Sequence, residues 1–209
     1  MKKILITLAS TAALTLSSSA AVIGWEAENF DSQTDFSTGS NTGALGGTYI
    51  TTDDNGTEDP PNDTVTYTIN APTGGSGFNL YIRFFAPSAS DDSMYAPDAI
   101  GASPSSWTNL NSFAKVEEGA WTWYNATANA GTGGKDLTAN APSYTLAAGS
   151  NTIVFGGRES GFLIDAFVLS TDSTLSDTEL TDAVAVPEPS MLGLVLISGA
   201  FVFLRRRLR

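Results

Sequence analysis

Three carboxylates carry the clearest chemistry in this chain. Glu26 and Glu28 lie two residues apart in Gly24-Trp25-Glu26-Ala27-Glu28-Asn29-Phe30, a spacing that puts both on one face of a β-strand. Asp165 stands alone in the apolar run Phe162-Leu163-Ile164-Asp165-Ala166-Phe167-Val168-Leu169. An ionised Asp in such a run is costly unless it is paired, hydrogen-bonded or bound to a cation, and its own segment offers no Lys or Arg. If the two segments are neighbouring strands, the three acids converge on one hard cation. With backbone carbonyls they would form an oxygen cage suited to Ca²⁺. The structural alternative makes Glu26 and Glu28 solvated acids on an edge strand and Asp165 an acceptor of backbone hydrogen bonds at a bulge. A further acidic stretch, Asp53-Asp54-Asn55-Gly56-Thr57-Glu58-Asp59, lacks the full EF-hand spacing and reads as a turn.

Composition narrows the remaining chemistry. The chain has no histidine, which removes zinc-hydrolase motifs, the Ser-His-Asp triad and the commonest general base. It has no cysteine, so a folded domain must rest on its core, with or without a metal. Setting aside the basic residues of the two ends (Lys2, Lys3, Arg205, Arg206, Arg207 and Arg209) leaves 4 basic against 21 or 22 acidic residues, depending on Glu188, and a net charge near −18. Such a surface attracts divalent cations and repels nucleic acid, which is excluded as a partner. Paired carboxylates can hydrolyse glycosides without histidine, but no pair here is set apart as a catalytic dyad.

The elements that must position these acids read as all-β. Thr64-Val65-Thr66-Tyr67-Thr68-Ile69 alternates with period two, and Phe78, Leu80, Ile82 and Phe84 share one face of the next alternating run. Residues 70–77 between them form a turn by composition. Further strands are expected at 120–124, 143–146, 151–155 and 162–169, with residues 86–108 as a long irregular loop of the kind that carries binding residues. Strands at this spacing, separated by Gly, Pro, Asn and Ser, predict a single antiparallel β-sandwich or jelly roll over residues 21–170. Residues 171–185, rich in Ser, Thr and Asp, read as a solvated linker.

Both ends read as address labels. Residues 1–20 have a basic start, an apolar stretch and small residues before Ala21, and predict a cleaved export signal. At the other end come Pro187-Glu188-Pro189, an apolar run over residues 191–204, and Arg205-Arg206-Arg207. The prolines enforce extended backbone, the apolar run inserts into a bilayer as a short helix, and the arginines stay cytoplasmic. A plain membrane anchor is the simpler reading of this tail. In this order residues 186–209 resemble the PEP-CTERM sorting signal of Gram-negative bacteria. That resemblance implies transient membrane insertion, recognition and cutting by an exosortase, and delivery to the envelope surface or extracellular polymer matrix.

Residues 22–170 resemble the carbohydrate-binding modules of families 6 and 35, which are galactose-binding-like jelly rolls. The resemblance runs through Glu26-Ala27-Glu28, Leu80-Tyr81-Ile82-Arg83-Phe84, Asp92-Ser93-Met94-Tyr95, Trp121-Thr122-Trp123, residues 146–153, and Arg158-Glu159-Ser160-Gly161 leading into Ile164-Asp165. It implies a structural calcium on Glu26, Glu28 and Asp165, and a polysaccharide or oligosaccharide site on loops at one end or edge. Sugar recognition in water favours aromatic faces flanked by polar groups. The aromatic candidates are Tyr95, Trp107, Trp121, Trp123 and Tyr124, and Asp92, Arg158 and Glu159 are the polar ones. Trp121 and Trp123 share one strand face and Tyr124 takes the other, so one side is expected to be core. The expected function is a non-catalytic, calcium-stabilised carbohydrate-binding module. The alternatives are a structural matrix protein without a discrete sugar site and a small polysaccharide-active enzyme.

Overall fold

The computed structural model describes residues 20–53, 60–129 and 135–185. The expected export signal, the sorting motif and most of the acidic turn lie outside the described residues. Twelve strands are present among those described: β1 (Val22–Glu26), β2 (Ser32–Thr34), β3 (Phe36–Ser40), β4 (Thr48–Thr52), β5 (Thr64–Ala71), β6 (Gly75–Phe85), β7 (Ser93–Pro97), β8 (Trp107–Asn111), β9 (Thr122–Asn125), β10 (Tyr144–Leu146), β11 (Gly149–Gly157) and β12 (Leu163–Ser170). They form two antiparallel sheets. One runs β10-β6-β12-β4-β3, with β1 also paired to β12 and β9 to β6; the other runs β2-β5-β11-β7-β8.

Alternation dictates how the sheets face each other. Val65, Tyr67, Ile69 and Ala71 of β5 point inward, as do Phe78, Leu80, Ile82 and Phe84 of β6, and together they fill the main core. The two sheets meet through Phe155 of β11 stacked on Phe167 of β12, with centroids 4.3 Å apart. Trp25 packs on Phe167 and Tyr67, and the Tyr67 hydroxyl donates to the Ala27 carbonyl at 2.6 Å. The first and last strands are neighbours as expected, from Val22 opposite Ser170 to Glu26 opposite Ala166.

Segment 86–108 is more regular than its composition suggests. It contains β7, which pairs with both β11 and β8 and has all five residues buried.

The expected linker is corrected by the structure. Residues Asp177–Ala185 form helix α2, packed on the face of the first sheet that points away from the main core. Leu180 is 1% exposed and shares a second cluster with Tyr81, Trp123, Ala166 and Val168. The start of α2 is a capping box: the Ser176 amide and hydroxyl donate to the Glu179 carboxylate at 2.9 and 2.7 Å. Leu175, just before the cap, joins Leu180, Ala183 and Val184 against the sheet, a hydrophobic staple continued at helical spacing. Gly24 of β1 makes the close approach possible, because a Cβ there would lie 2.8 Å from the Ala183 carbonyl. This docking explains why β12 is buried on both faces. Among the described residues, no helix is long and apolar enough to cross a membrane.

Candidate functional site

The register between β6 and β12 shifts between Ile164 and Ala166, which leaves Asp165 at a bulge. A bulge re-aims one side chain, and Asp165 is completely buried. Its Oδ2 accepts from the Leu45 amide at 3.0 Å and forms an ion pair with Arg83 of β6. The partner that its own segment lacks thus comes from the adjacent strand.

Glu26 and Glu28 lie beside Asp165. One oxygen of each acid, Glu26 Oε2, Glu28 Oε2 and Asp165 Oδ1, is buried with no hydrogen-bond partner. Gly46, at φ 59°, covers them: a Cβ there would sit 3.5 Å from Glu26 Oε1 and 3.7 Å from Glu28 Oε1. Burial, then the charges of Glu28 and Asp165, push the Glu26 carboxyl up to about 7, against a smaller opposing effect of Arg83. Burial also raises Glu28 and Asp165, the latter opposed by the Leu45 amide and Arg83. Among the described residues, no three acids are drawn together tightly enough to enclose an ion as they stand. Their donor chemistry nonetheless fits a hard cation: three uncompensated carboxylate oxygens in a shielded place, with one arginine to offset three acids.

Arg83 also reaches the second half of the site. Its Nη2 donates to the Gly43 carbonyl at 3.1 Å, and its guanidinium carbon lies 5.4 Å from the centre of the Trp121 ring. The Trp121 indole N–H donates to Asn41 Oδ1 at 3.3 Å, and the ring lies so close over Gly43 that a Cβ would meet it at 2.5 Å. Tyr49 of β4 is 6.0 Å from Trp121 at 47°, and Phe85 of β6 is 5.6 Å away. All three rings remain partly exposed. Trp121 and Tyr49 therefore form a contacting, partly exposed aromatic pair, edged by Asn41 and Arg83. One loop, residues 41–47, touches both this pair and the carboxylate cluster.

The other expected ligand residues lie elsewhere. Trp123 is buried under α2, where its indole N–H donates to Thr181 Oγ1 at 3.2 Å, so its face is covered by the helix instead of open to a sugar. Tyr95 is 4% exposed within the central part of the second sheet, so it too lacks an open face. Tyr124 belongs to the main core. Trp107, at the start of β8, is half-buried opposite Pro97.

Asp92, Arg158 and Glu159 do come together, but as a latch. Arg158 pairs with Glu159, whose Oε2 accepts from the Asp92 amide at 2.9 Å. Asp92 is 2% exposed and accepts from the Ala114 amide at 3.1 Å. Burial raises its carboxyl, opposed by backbone donors. The three tie the turn before β12 to the segment around β7, and Asp92 Oδ1 and Arg158 Nε remain buried without partners.

Residues missed in sequence are Tyr49, Asn41 and Arg83. Arg83 was the legible one, since it alternates to the outward face of a strand whose inward face was already assigned. A concavity of about 550 Å³ lies elsewhere, lined by Gln33, Asp35, Phe36, Ser37, Asp53, Asn62 and Asp63. It contains no exposed aromatic ring and none of the clustered acids.

No family model matches the sequence, and no curated protein matches it. Solved structures do resemble the fold. A GH26-CBM35 β-(1,4)-mannanase from Podospora anserina is 19% identical with a TM-score of 0.49, over 75% of this chain. This chain spans only 29% of that enzyme. A family 35 carbohydrate-binding module from Clostridium thermocellum is 15% identical with a TM-score of 0.48, over 71% of this chain and 97% of the module. The C-terminal CBM6 of a marine laminarinase from Zobellia galactanivorans is 16% identical with a TM-score of 0.48, over 71% of this chain and 98% of that one.

Proposed function

We propose that this protein is an exported, non-catalytic carbohydrate-binding module whose ligand stacks on the exposed surface of the Trp121–Tyr49 pair. The observation that carries this reading is the pair of partly exposed rings 6.0 Å apart and inclined at 47°, with the amide of Asn41 and the guanidinium of Arg83 at the edge. A pyranose offers an apolar C–H face that stacks on such rings, while polar neighbours select its hydroxyls. Calcium belongs to the proposal as a structural ion on Glu26, Glu28 and Asp165. It would supply the positive charge that Arg83 alone does not. The acids that lie close together are thereby assigned to holding the fold, which is why the reading is not enzymatic. The tail, with Pro187, Glu188 and Pro189 before an apolar run and Arg205, Arg206 and Arg207 after it, is proposed to be read by an exosortase-type enzyme. The destination is the cell surface or extracellular matrix of a Gram-negative bacterium.

The test is a glycan-binding screen of the full-length chain in calcium and again in EDTA, in a sugar-free detergent. Specific retention of one glycan class, weakened by EDTA, is expected. A folded protein that retains no glycan points to a structural matrix role instead.

A further inference from the structure

The two halves of the site share one arginine and one loop. Asp165 divides its oxygens: Oδ2 is held by Arg83 and the Leu45 amide, whereas Oδ1 is the fully buried, unpartnered atom beside Glu26 and Glu28. Arg83 in turn has three simultaneous roles. It pairs with Asp165, donates to the Gly43 carbonyl and stacks on Trp121. The loop over residues 41–47 repeats the same link in its backbone. Leu45 is tied to Asp165, Gly43 to Arg83, and Asn41 to the indole of Trp121, while Gly46 lies over the two glutamates.

We infer that Arg83 is a positioning residue that couples cation occupancy of the carboxylate cluster to the placement of the Trp121 ring. A cation held through the free oxygens engages Asp165 on the side Arg83 does not use, so it fixes the aspartate without displacing the arginine. Without it, Glu26 and Glu28 repel Asp165, the acid that holds Arg83, and the ring stacked on that guanidinium is less firmly placed. The sign is therefore positive: the cation orders Trp121, and by reciprocity a ligand stacked on Trp121 tightens cation binding. Lysine cannot substitute, because a point charge does not pair, donate to a carbonyl and stack as a planar guanidinium does. The consequence for sugar binding rests on the proposed stacking on Trp121 and Tyr49, but the coupling itself does not.

The test uses Ca²⁺ alone as the probe. The full-length chain is titrated with Ca²⁺ by calorimetry, and Trp121 emission is isolated as the difference between wild type and W121F. In wild type, Ca²⁺ is expected to shift the Trp121 component, and EDTA to reverse it. R83M is expected to bind Ca²⁺ at least as tightly, having lost a competing positive charge, while its Trp121 component no longer responds. R83K is expected to lose at least half of the response, and it decides the matter if R83M does not fold. For any glycan retained in the screen, Ca²⁺ should tighten binding about tenfold in wild type and less than about twofold in R83M. A Trp121 response in both variants equal to wild type overturns the coupling, as does Ca²⁺ binding to wild type with Trp121 unchanged, or no Ca²⁺ binding at all. Coupling without any retained glycan leaves Arg83 in its role and refutes the sugar reading instead.

Discussion

A single methyl group at Gly24 should loosen α2. An isolated nine-residue helix is unstable in water, so α2 depends on its docked face. Burying Leu180 is worth roughly 2–3 kcal/mol, and the Ser176–Glu179 cap about 1 kcal/mol more. In G24A the new Cβ would sit 2.8 Å from the carbonyl carbon and oxygen of Ala183 and 2.9 Å from the Val184 nitrogen. These are backbone atoms, so no rotamer change relieves the contact. Ordinary carbon contacts are about 3.5–4 Å, so the helix must retreat by about 0.7 Å or more. Overpacking of this kind costs about 1–3 kcal/mol, less about 0.5–1 kcal/mol gained by replacing a strand glycine. Taking the middle of each range, a net loss of about 1 kcal/mol remains, a sizeable part of what holds the helix. Hydrogen exchange of residues 176–185 should accelerate about fivefold, and Tm should fall by about 2–5 °C. Trp123 emission should move to the red as the helix leaves it. Unchanged exchange in 176–185 with an unchanged Tm would refute the docking argument.

Other outcomes follow from the same contacts. Glu26, with a folded-state value of about 7 against 4.5 unfolded, keeps its proton longer in the folded protein, so this group makes stability fall as pH rises between those values. The full shift corresponds to about 3 kcal/mol, and solvent screening of this partly exposed group reduces that to about 1–2 kcal/mol. Urea unfolding in EDTA at pH 5 and pH 7.5 should show that loss in wild type and a flatter dependence in E26Q; equal slopes would count against the buried cluster. L180A should lower stability by about 2–4 kcal/mol in the same assay, through the cavity it leaves beneath α2, and a loss below 1 kcal/mol would mean a loosely seated helix. R158M should lower Tm, because it leaves Glu159 uncompensated at the latch, while any glycan affinity stays within about twofold of wild type. A tenfold loss of affinity without a change in Tm would return Arg158 to the ligand site.

Much of the scaffold was readable because period-two burial is a local property. The inward sets of β5 and β6 could be assigned from alternation, and the isolated Asp165 marked both a bulge and a polar cluster. What escaped depended on pairing across the sheet or on a cue that composition masked. Arg83 meets Asp165 only through the register of β6 on β12. Trp121 and Trp123 share a strand face, and nothing in their own segment distinguishes them; α2, supplied by residues more than 50 positions later, covers one and leaves the other partly exposed. The helix itself was hidden by its Ser, Thr and Asp content, although Ser176-Asp177-Thr178-Glu179 followed by Leu180, Ala183 and Val184 is a capping box with helical spacing. The short strands β2 to β4 lie among glycines and polar residues, so Tyr49 gave no signal as a site residue.

The central claim is that sugar binds on the exposed surface of the Trp121–Tyr49 pair. Its most direct test is calorimetric titration of the best glycan from the screen into wild type, W121A and Y49A, with thermal melts of each. The account predicts that both variants weaken binding at least tenfold, about 1.4 kcal/mol, while their melting temperatures stay within about 4 °C of wild type. Wild-type affinity in folded W121A and Y49A would place any sugar site elsewhere and contradict the account.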